Sequence, residues 1–394
     1  MRPPPVGLGP LSRRSFLRAS AGLVSSAGLL NLACGSDDGE QHVDGPGVAI
    51  VRQRNYDLTE LKAALSHAFD LVGGIGPLVR SKTVTVKVNL TGGAGPMYGR
   101  PSGESYTTHP ATALALASLL NDLGAARVRL VECCPSQATL EGFASTVGWD
   151  QSPFLALGNV SFENTRNLGS GSRYVQRNVP GAPQLFSYFM FNHCYADTDV
   201  MISLAKMKNH VTAGVTLAIK NMFGTTPNAI YGTDSAASGE DAVGYRHQLH
   251  DRTQGSIAAR PGELPGFAGQ DAYFRIPRIV TDVAAARPID LAIVDGITTI
   301  SGGEGPWCQT TTNPLTYLSP GVLLVGRDPV ATDAVCVRVM GYAYPLAARG
   351  TAPFAFCDNH ILLAHQAGVG IGDVARVNVL GEKIGDVAAK FAWL

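Results

Sequence analysis

The chain alternates short apolar segments with helix-like ones, and this alternation limits the folds open to it. Short, continuous apolar runs without charge are typical of buried strands. Helix signals follow most of them, such as Asp57 with Glu60 three residues later, and Pro110 in a first turn. The predicted strands are 48–51, 83–90, 127–132, 200–204, 291–295, 322–325 and 377–380. This pattern predicts an α/β fold, a mostly parallel sheet with helices on both faces.

Two stretches break the alternation. Residues 174–179 and 184–191 flank a turn-rich segment, which predicts an antiparallel hairpin packed at the edge of the sheet. A glycine-rich insertion at 225–272 is too long for an ordinary connection and is typical of a lid or a binding loop. With 394 residues and 45% hydrophobic content, the chain can bury a large core. The sequence therefore predicts one α/β domain over 47–394 that contains the insertion.

Residues 1–34 are predicted to be an export signal rather than part of the fold. Within them, 12–18 (SRRSFLR) matches the twin-arginine pattern, and a mildly apolar run rich in Ala, Gly and Ser follows. That run is too short and too mild for a transmembrane helix, which needs about 20 apolar residues. We therefore expect the twin-arginine translocase as a partner during export, and a location on the periplasmic or cell-surface side of the membrane.

Cys34 ends this region in the sequence LACG, which is typical of a bacterial lipoprotein cleavage site, although Asn31 stands where leucine is usual. Two interpretations are open: a lipidated Cys34 that tethers the protein to the membrane, or ordinary cleavage nearby. In both, 35–46 is a flexible tether. The other cysteines have no regular spacing, so disulfides and buried free thiols are both open. They are residues 133, 134, 194, 308, 336 and 357.

Charge and motifs exclude several classes of function. Charged residues make up 16% of the chain and are balanced at 31 basic against 31 acidic, which gives no electrostatic reason to expect nucleic acid. The sequence has no G-x-S-x-G nucleophile elbow, no phosphate-binding P-loop and no H-E-x-x-H metal motif. It also lacks G-x-G-x-x-G after the first strand, so a standard dinucleotide-binding fold is not expected.

A run with two lysines and a histidine, 206–210 (KMKNH), lies where the apolar strand 200–204 should end. The sequence predicts a helix after this run, with Asn209 or Thr212 as its N-cap and Gly224 as its end. Lysines in an apolar segment either extend into water or need a countercharge. No acid lies nearby in the sequence. The countercharge would therefore be a carboxylate from elsewhere in the chain or an anionic ligand.

Polar residues end each strongly apolar strand, and the carboxyl ends of parallel strands share one edge of a sheet, where ligands bind. This predicts a cleft for a small anionic ligand, a carboxylate or a phosphate. The predicted catalytic residues are Lys206, Lys220 and His210, with a lysine of lowered pKa as the base. The predicted substrate-binding residues are Lys87, Asn89, Lys208, Thr216 and Asn221. In the predicted helix, Thr216 and Lys220 would share a face.

Two interpretations are open for the acidic residues Asp295, Glu304, Asp328 and Asp333. In one, they hold a divalent cation, and such hard oxygen ligands suit Mg²⁺, Mn²⁺ or iron. In the other, they neutralise the lysines in an ion-pair network without metal. Asp328 precedes a proline and is also typical of a turn. Two interpretations are also open for His247 and His250 in the insertion, which are either metal ligands or surface histidines.

The run 206–210, with 216–224 (TLAIKNMFG), resembles the signature of the bacterial and archaeal "domain of unknown function 362" family. The resemblance extends through 302–306 (GGEGP) and 327–333 (RDPVATD) and covers most of the chain after about residue 80. The family name implies no established activity. Some relatives carry a ferredoxin-like module, which implies that members of the family work with redox proteins. This chain has no C-x-x-C, so an iron–sulfur cluster of that type is not expected.

We therefore expect an exported enzyme that acts on a small anionic substrate, with a divalent metal as the open question about its cofactor. Two alternatives are open. The protein would be a non-catalytic periplasmic anion-binding protein that uses the same cleft, or an accessory subunit of a redox complex, which only the ferredoxin-like modules of some family members imply.

Overall fold

The structure, a computed structural model, describes residues 44–91, 95–134, 139–232, 246–253, 258–311 and 314–392. The predicted export signal, Cys34 and nearly all of the predicted tether lie outside the described residues. So do 233–245 and 254–257 of the predicted insertion.

The strands and helices follow one another in the alternating order that the sequence predicts. The strands are β1 (Gly47–Arg52), β2 (Thr83–Lys87), β3 (Arg127–Glu132), β4 (Val160–Asn164), β5 (Val175–Asn178), β6 (Tyr188–Phe191), β7 (Val200–Lys206), β8 (Lys208–His210), β9 (Gly214–Thr216), β10 (Leu291–Gly296), β11 (Thr299–Ser301), β12 (Thr316–Leu318), β13 (Val322–Gly326) and β14 (Asn378–Gly381). The helices are α1 (Leu58–Leu71), α2 (Gly76–Val79), α3 (Pro110–Asp122), α4 (Leu140–Thr146), α5 (Ser152–Leu155), α6 (His193–Ala196), α7 (Ala218–Asn221), α8 (Asn228–Tyr231), α9 (His247–His250), α10 (Ala272–Ala286), α11 (Pro329–Val339), α12 (His360–Gln366) and α13 (Ile384–Val387).

One eight-stranded sheet organises the fold, in the order β14-β1-β13-β10-β7-β2-β3-β4. Every neighbouring pair is parallel except those of β13, which runs antiparallel to β1 and to β10. The hairpin β11–β12 follows β10 and returns the chain to the same end of the sheet, so β13 begins beside the last residue of β10 and runs back along it. The predicted α/β fold with a mostly parallel sheet is confirmed.

Hydrophobic cores lie on both faces of this sheet. In β1, Ala49 and Val51 pack with α1 and α3, whereas Val48 and Ile50 pack with the core that contains α10, α11 and α12. A strand that is buried on both faces needs apolar residues at every position, which explains the continuous apolar runs in the sequence. Helices therefore cover both faces, as predicted.

The predicted hairpin is present, because β5 and β6 pair antiparallel. They form a two-stranded sheet of their own beside the large one. The described part of the predicted insertion contains the single-turn helices α8 and α9. Within the described ranges, every helix is too short or too polar to span a bilayer.

The segment after β7 is not the long helix that the sequence predicts. Instead, β8 and β9 pair as an antiparallel hairpin, and the helix that follows, α7, has only four residues. Gly214 has a φ of +77° in the hairpin, a conformation that favours glycine. A Cβ atom at Gly214 would lie 2.5 Å from Cδ1 of Phe354. Thr216 therefore lies in a strand and shares no helix face with Lys220.

Asp333, rather than Asn209 or Thr212, caps α7. Its two carboxylate oxygens accept hydrogen bonds from the backbone N–H groups of Ala218 (2.8 Å) and Ile219 (2.9 Å). Burial raises the pKa of Asp333 to about 7, although the two backbone hydrogen bonds oppose this shift. The capping residue lies 115 positions from Ala218, so no local pattern could reveal it.

Candidate functional site

A cavity of about 620 Å³ lies at the carboxyl ends of β2, β3 and β7. This volume is typical of small-molecule sites. The sheet order places these three strands side by side, with β2 between the others, so the residues that follow them meet at one edge. Eight predicted site residues line the cavity: Lys87, Asn89, Lys208, His210, Thr216, Lys220, Asn221 and Glu304.

Lys206, a predicted catalytic residue, does not line this cavity. Its ammonium group is buried and donates to Tyr56 Oη (2.8 Å), to the Gly103 carbonyl (2.7 Å) and to Asp295 Oδ2 (3.3 Å). The register of β7 and β10 explains the last contact, because it pairs Lys206 with Asp295. Burial lowers the pKa of Lys206, and the Asp295 carboxylate opposes this shift. The structure thus places Lys206 in a closed internal network.

The four predicted metal ligands do not converge on one point. No three of them have their carboxylate oxygens within 4.8 Å of one another. Asp328 caps α11 by accepting from the N–H groups of Val330 (2.8 Å) and Ala331 (3.0 Å), as Asp333 caps α7. Only Glu304 lines the cavity. A metal shared by these residues stays a prediction, and their arrangement does not support it.

Lys87 and Glu132 form a buried ion pair at the cavity wall, with Nζ 2.6 Å from Oε1. Lys87 also donates to the Val88 carbonyl (2.7 Å), and the second oxygen of Glu132 accepts from the Leu90 N–H (2.8 Å). The charge of Lys87 is therefore neutralised within the protein. From the sequence, Glu132 is only a polar residue at the end of a predicted strand. The pairing of β2 with β3 places it beside Lys87, so the order of the strands is the signal that links the two residues.

Lys208 also has partners within the protein. Its Nζ atom donates to the backbone carbonyls of Tyr106 (2.5 Å) and Glu304 (2.9 Å). Burial lowers the pKa of Lys208 to about 7, while the Glu304 carboxylate opposes the shift and the charge of Lys220 adds to it. The Glu304 side chain accepts from the Val211 N–H at 2.8 Å and so holds the turn of the β8–β9 hairpin.

Lys220 differs from the other cavity lysines, since among the described residues its ammonium group has no hydrogen bond or ion pair. Its Nζ lies 4.9 Å from the centre of the Phe223 ring, and the guanidinium of Arg246 lies 5.0 Å from the same ring centre. Burial lowers the pKa of Lys220 to about 7, with Glu304 opposing the shift and Arg246 adding to it. Near neutral pH, Lys220 is therefore divided between ammonium and free amine.

His210 is a neutral hydrogen-bond donor at the same cavity. Burial and then the charges of Lys220 and Lys208 hold its pKa well below the usual value. Its Nδ1 accepts from the Thr212 N–H at 3.2 Å, which leaves the proton on Nε2. Nδ1 also lies 3.8 Å from a carboxylate oxygen of Glu304, but a neutral ring forms no ion pair there. His210 thus has Nε2–H as its remaining donor.

Two further polar atoms at the cavity have no hydrogen-bond partner among the described residues, Oδ1 of Asn89 and Oγ1 of Thr216. These residues are only 6% and 3% exposed. Leaving such a buried atom unpaired costs about 1–3 kcal/mol. The amide orientation of Asn89 is fixed because its Nδ2 donates to Asn221 Oδ1 at 3.1 Å. Both atoms are closed to solvent, so a ligand would satisfy them only after the neighbouring side chains of the cavity wall move.

The cavity also contains residues that the sequence does not predict to be functional. Phe223 and Arg246 line the cavity, and Arg246 also donates to a backbone carbonyl of the preceding segment, that of Thr226, at 2.8 Å. The sequence leaves the role of His250 open. Its ring packs edge-on against the Phe223 ring, with the two ring centres 4.8 Å apart. Phe223 lies within the 216–224 run, which is the one signal that could have found it.

The described cysteines are buried free thiols, which agrees with one of the two interpretations of the sequence. Cys133 and Cys134 follow β3 and line the cavity. Burial raises the pKa of the Cys134 thiol, and the Glu132 carboxylate adds to this shift. Cys134 is therefore a protonated thiol at neutral pH.

Comparison with known proteins identifies the family of this chain. The family model "Domain of unknown function (DUF362)" matches residues 84–338. The chain belongs to the DUF362 family. The match runs from β2 to α11 and includes the β8–β9 hairpin and α7, so it covers most of the cavity. The resemblance stated from the sequence is confirmed, and the family description assigns no activity.

Two further comparisons give one sequence relative of this DUF362 protein and one weak structural match. It is 22% identical over 289 residues to the thylakoid-associated protein sll1697 of Synechocystis sp. (strain ATCC 27184 / PCC 6803 / Kazusa), covering 68% of this chain and 84% of that protein. A crystal structure of a Thermotoga maritima protein matches with 12% identity and a TM-score of 0.35, over 71% of this chain and 57% of that one. At this TM-score the structural likeness carries no argument.

Proposed function

We propose that this DUF362 protein is an enzyme that binds a small anionic substrate in the cavity and uses Lys220 as its base. The observation that carries the proposal is the Lys220 amine, which faces the cavity without a partner among the described residues and has a pKa lowered to about 7. A base works best when its pKa lies near the working pH. Groups perturbed in this way are concentrated at functional sites.

Neighbouring donors support the binding of an anion. Lys208 donates to two backbone carbonyls and is fully buried, so it contributes positive charge to the cavity wall rather than a direct donor. The Thr216 hydroxyl has no partner among the described residues and would supply a donor once the cavity wall shifts to expose it. Arg246 lies over the same aromatic ring as Lys220 and adds positive charge. A carboxylate or a phosphate is the chemistry that this arrangement recognises.

The reaction that suits these groups is proton transfer at a carbon next to a carbonyl or a carboxylate. The free amine of Lys220 takes the proton, and the C–H electron pair moves toward the substrate oxygen. The Nε2–H of neutral His210 donates to that oxygen as its charge develops. Asn89 Oδ1, which is closed to solvent in this structure, would accept from a hydroxyl or amino group of the substrate once the cavity wall shifts to expose it.

The test measures binding and proton exchange separately. Untagged protein is titrated calorimetrically with inorganic phosphate, malonate and pyruvate, and loss of the C–H signals of each organic acid in D₂O is followed by NMR. We expect Lys220→Met to weaken binding about tenfold or more and to abolish exchange. Lys220→Arg keeps the charge and should retain binding without exchange. Lys82→Met is the matched control, at a lysine with a half-exposed side chain outside the cavity.

Two outcomes would contradict the proposal in different ways. If Lys220→Met binds every anion as the wild type does, Lys220 is not part of an anion site. If anions bind but no acid exchanges its protons, the protein is an anion-binding protein without this chemistry, which is the alternative that the sequence leaves open.

We also propose that the protein acts outside the cytoplasm after twin-arginine export. The support is the sequence pattern at 12–18. Replacing both Arg13 and Arg14 with lysine should retain the precursor in the cytoplasm on cell fractionation, and normal export of this variant would contradict the proposal. If Cys34 is lipidated, Cys34→Ala should move the exported protein from the membrane fraction to the soluble one.

A further inference from the structure

A second group of metal-ligating side chains lies away from the cavity. Glu163 on β4 and the neighbours His193 and Cys194 on α6 have ligand atoms within 4.8 Å of one another. Among the described residues, no other three His, Cys, Asp or Glu side chains meet in this way. His193 Nε2 lies 2.6 Å from Glu163 Oε1 and 3.7 Å from Cys194 Sγ. None of these residues lines the cavity.

The histidine ring is oriented by a carboxylate on its other side. His193 Nδ1 lies 3.3 Å from Asp197 Oδ2, and Asp197 is itself held by Arg129 at 2.6 Å. With an ion bound, a ring that donates Nδ1–H to Asp197 would offer the lone pair of Nε2 to the ion, in place of the proton that Nε2 now shares with Glu163. Metal-binding histidines in proteins are commonly fixed by such a carboxylate.

The spacing fits a tetrahedral ion. With Zn–S near 2.3 Å and Zn–N near 2.0–2.1 Å, a tetrahedral site separates sulfur and nitrogen by about 3.6 Å. The distance from His193 Nε2 to Cys194 Sγ is 3.7 Å. The 2.6 Å contact between Nε2 and Glu163 is a hydrogen bond, and it would lengthen to about 3.4 Å when an ion replaces the proton.

The loop over this cluster has glycine at the two positions where a side chain would collide with it. A Cβ atom at Gly169 would lie 2.2 Å from Glu163 Oε1, and one at Gly171 would lie 2.3 Å from His193 Cδ2. Between them, Ser170 Oγ lies 2.7 Å from Glu163 Oε2 and 3.2 Å from His193 Nε2. The Ser170 hydroxyl therefore lies next to the ligand atoms of both Glu163 and His193.

We propose that Glu163, His193 and Cys194 bind one Zn²⁺-type ion, with Ser170 Oγ or a water as the fourth ligand. One thiolate, one imidazole and one carboxylate form a donor set typical of zinc. The side chains of His193 and Glu163 are 18% and 10% exposed, so an ion can reach them from solvent. Such an ion would tie β4, the edge strand of the large sheet, to α6.

The test uses Co²⁺ as a spectroscopic probe on untagged, chelator-stripped full-length protein. A thiolate ligand gives a near-ultraviolet charge-transfer band, and tetrahedral Co²⁺ gives intense visible bands. We expect both to saturate at one equivalent in the wild type and in Cys357→Ser, which removes a buried cysteine elsewhere. Cys194→Ser should lose the charge-transfer band. Asp197→Asn should weaken binding about 10–100-fold while keeping the band.

Glu163→Gln keeps the shape of the side chain and covers the case in which Cys194→Ser does not fold. We expect it to bind Co²⁺ at least about tenfold more weakly than the wild type. Two results would overturn the proposal: no charge-transfer band in the wild type, or a band that persists in Cys194→Ser and disappears in Cys133→Ser. Affinity unchanged in Glu163→Gln would remove Glu163 from the site and overturn the proposed set.

Discussion

Lys206, Lys87 and Lys220 are all buried, yet their partners give them different chemistry. Lys206 is enclosed with Asp295, and Lys87 is paired with Glu132. Among described residues, the Lys220 ammonium group has no hydrogen bond or ion pair and lies over the Phe223 ring. A buried ammonium group with a carboxylate contributes to structure, whereas one that faces a cavity alone is available to a ligand.

We predict that Lys206→Met acts on stability and not on the cavity. It would leave Asp295 as a buried, uncompensated charge, which typically costs about 3–5 kcal/mol. Urea unfolding measures this loss, and calorimetry measures anion affinity, which should match the wild type. Lys82→Met, which removes only a 4.0 Å surface contact to Asp199, should change stability by less than about 0.5 kcal/mol. A stable Lys206→Met that no longer binds anions would assign Lys206 to the site instead.

At the scale of elements, the β8–β9 hairpin and α7 set the geometry of the site. The hairpin carries Lys208, His210 and Thr216, and α7 carries Lys220. The short 3-10 turn after α7 then passes close to the Lys87–Glu132 pair. A Cβ atom at Gly224 in this turn would lie 2.7 Å from Lys87 Nζ and 3.0 Å from Glu132 Oε1.

We predict that Gly224→Ala disturbs the cavity wall. The added methyl group must displace the Lys87 ammonium group, and anion affinity should fall several-fold, about 1 kcal/mol. Gly385→Ala is the matched control, because a Cβ there meets nothing within 4 Å and its φ is not positive. Calorimetry with inorganic phosphate compares the two variants. Equal affinity in both would show that the wall tolerates the methyl group and that Lys87 does not shape the anion site.

Over the whole molecule, buried groups of opposite charge set the pH dependence of stability. The pKa of Asp333 is raised to about 7, and those of Lys208 and Lys220 are lowered to about 7. Between about pH 4 and pH 7, the Asp333 carboxyl group is protonated in the folded protein and ionised in the unfolded one. Its contribution to stability therefore decreases as the pH rises. Above pH 7, the unfolded lysines hold protons that the folded ones release, so the contribution of these lysines to stability rises with pH up to about pH 10.

We predict that the free energy of unfolding increases between about pH 7 and about pH 8, by at most about 1.4 kcal/mol per pH unit for each lysine. This range lies below about pH 8.5, where unfolded thiols titrate. Urea unfolding across the range gives the slope, and Lys220→Met should remove one of the two contributions. Identical slopes in this variant and in the wild type would mean that the pKa of Lys220 is not lowered.

The sequence predicts the large sheet well because its signals are local. Continuous apolar runs mark β7 and β10, and helix caps such as Asp57 lie beside the helices they start. The helix predicted up to Gly224 is wrong because its true cap, Asp333, comes from a distant element. For the same reason the sequence cannot separate Lys206 from Lys220. The carbonyl of Gly103 and the hydroxyl of Tyr56, which enclose Lys206, come from segments far away in the chain.

The place of β1 in the sheet bears on synthesis. This early strand lies between β13 and β14, which are made last. While the ribosome is still translating residues before 322, β1 has neither strand neighbour, so its backbone hydrogen-bonding groups lack their partners in the sheet. Contacts between distant parts of a chain also form slowly. The nascent protein must therefore be held, by chaperones or by its own partial structure, until synthesis is nearly complete.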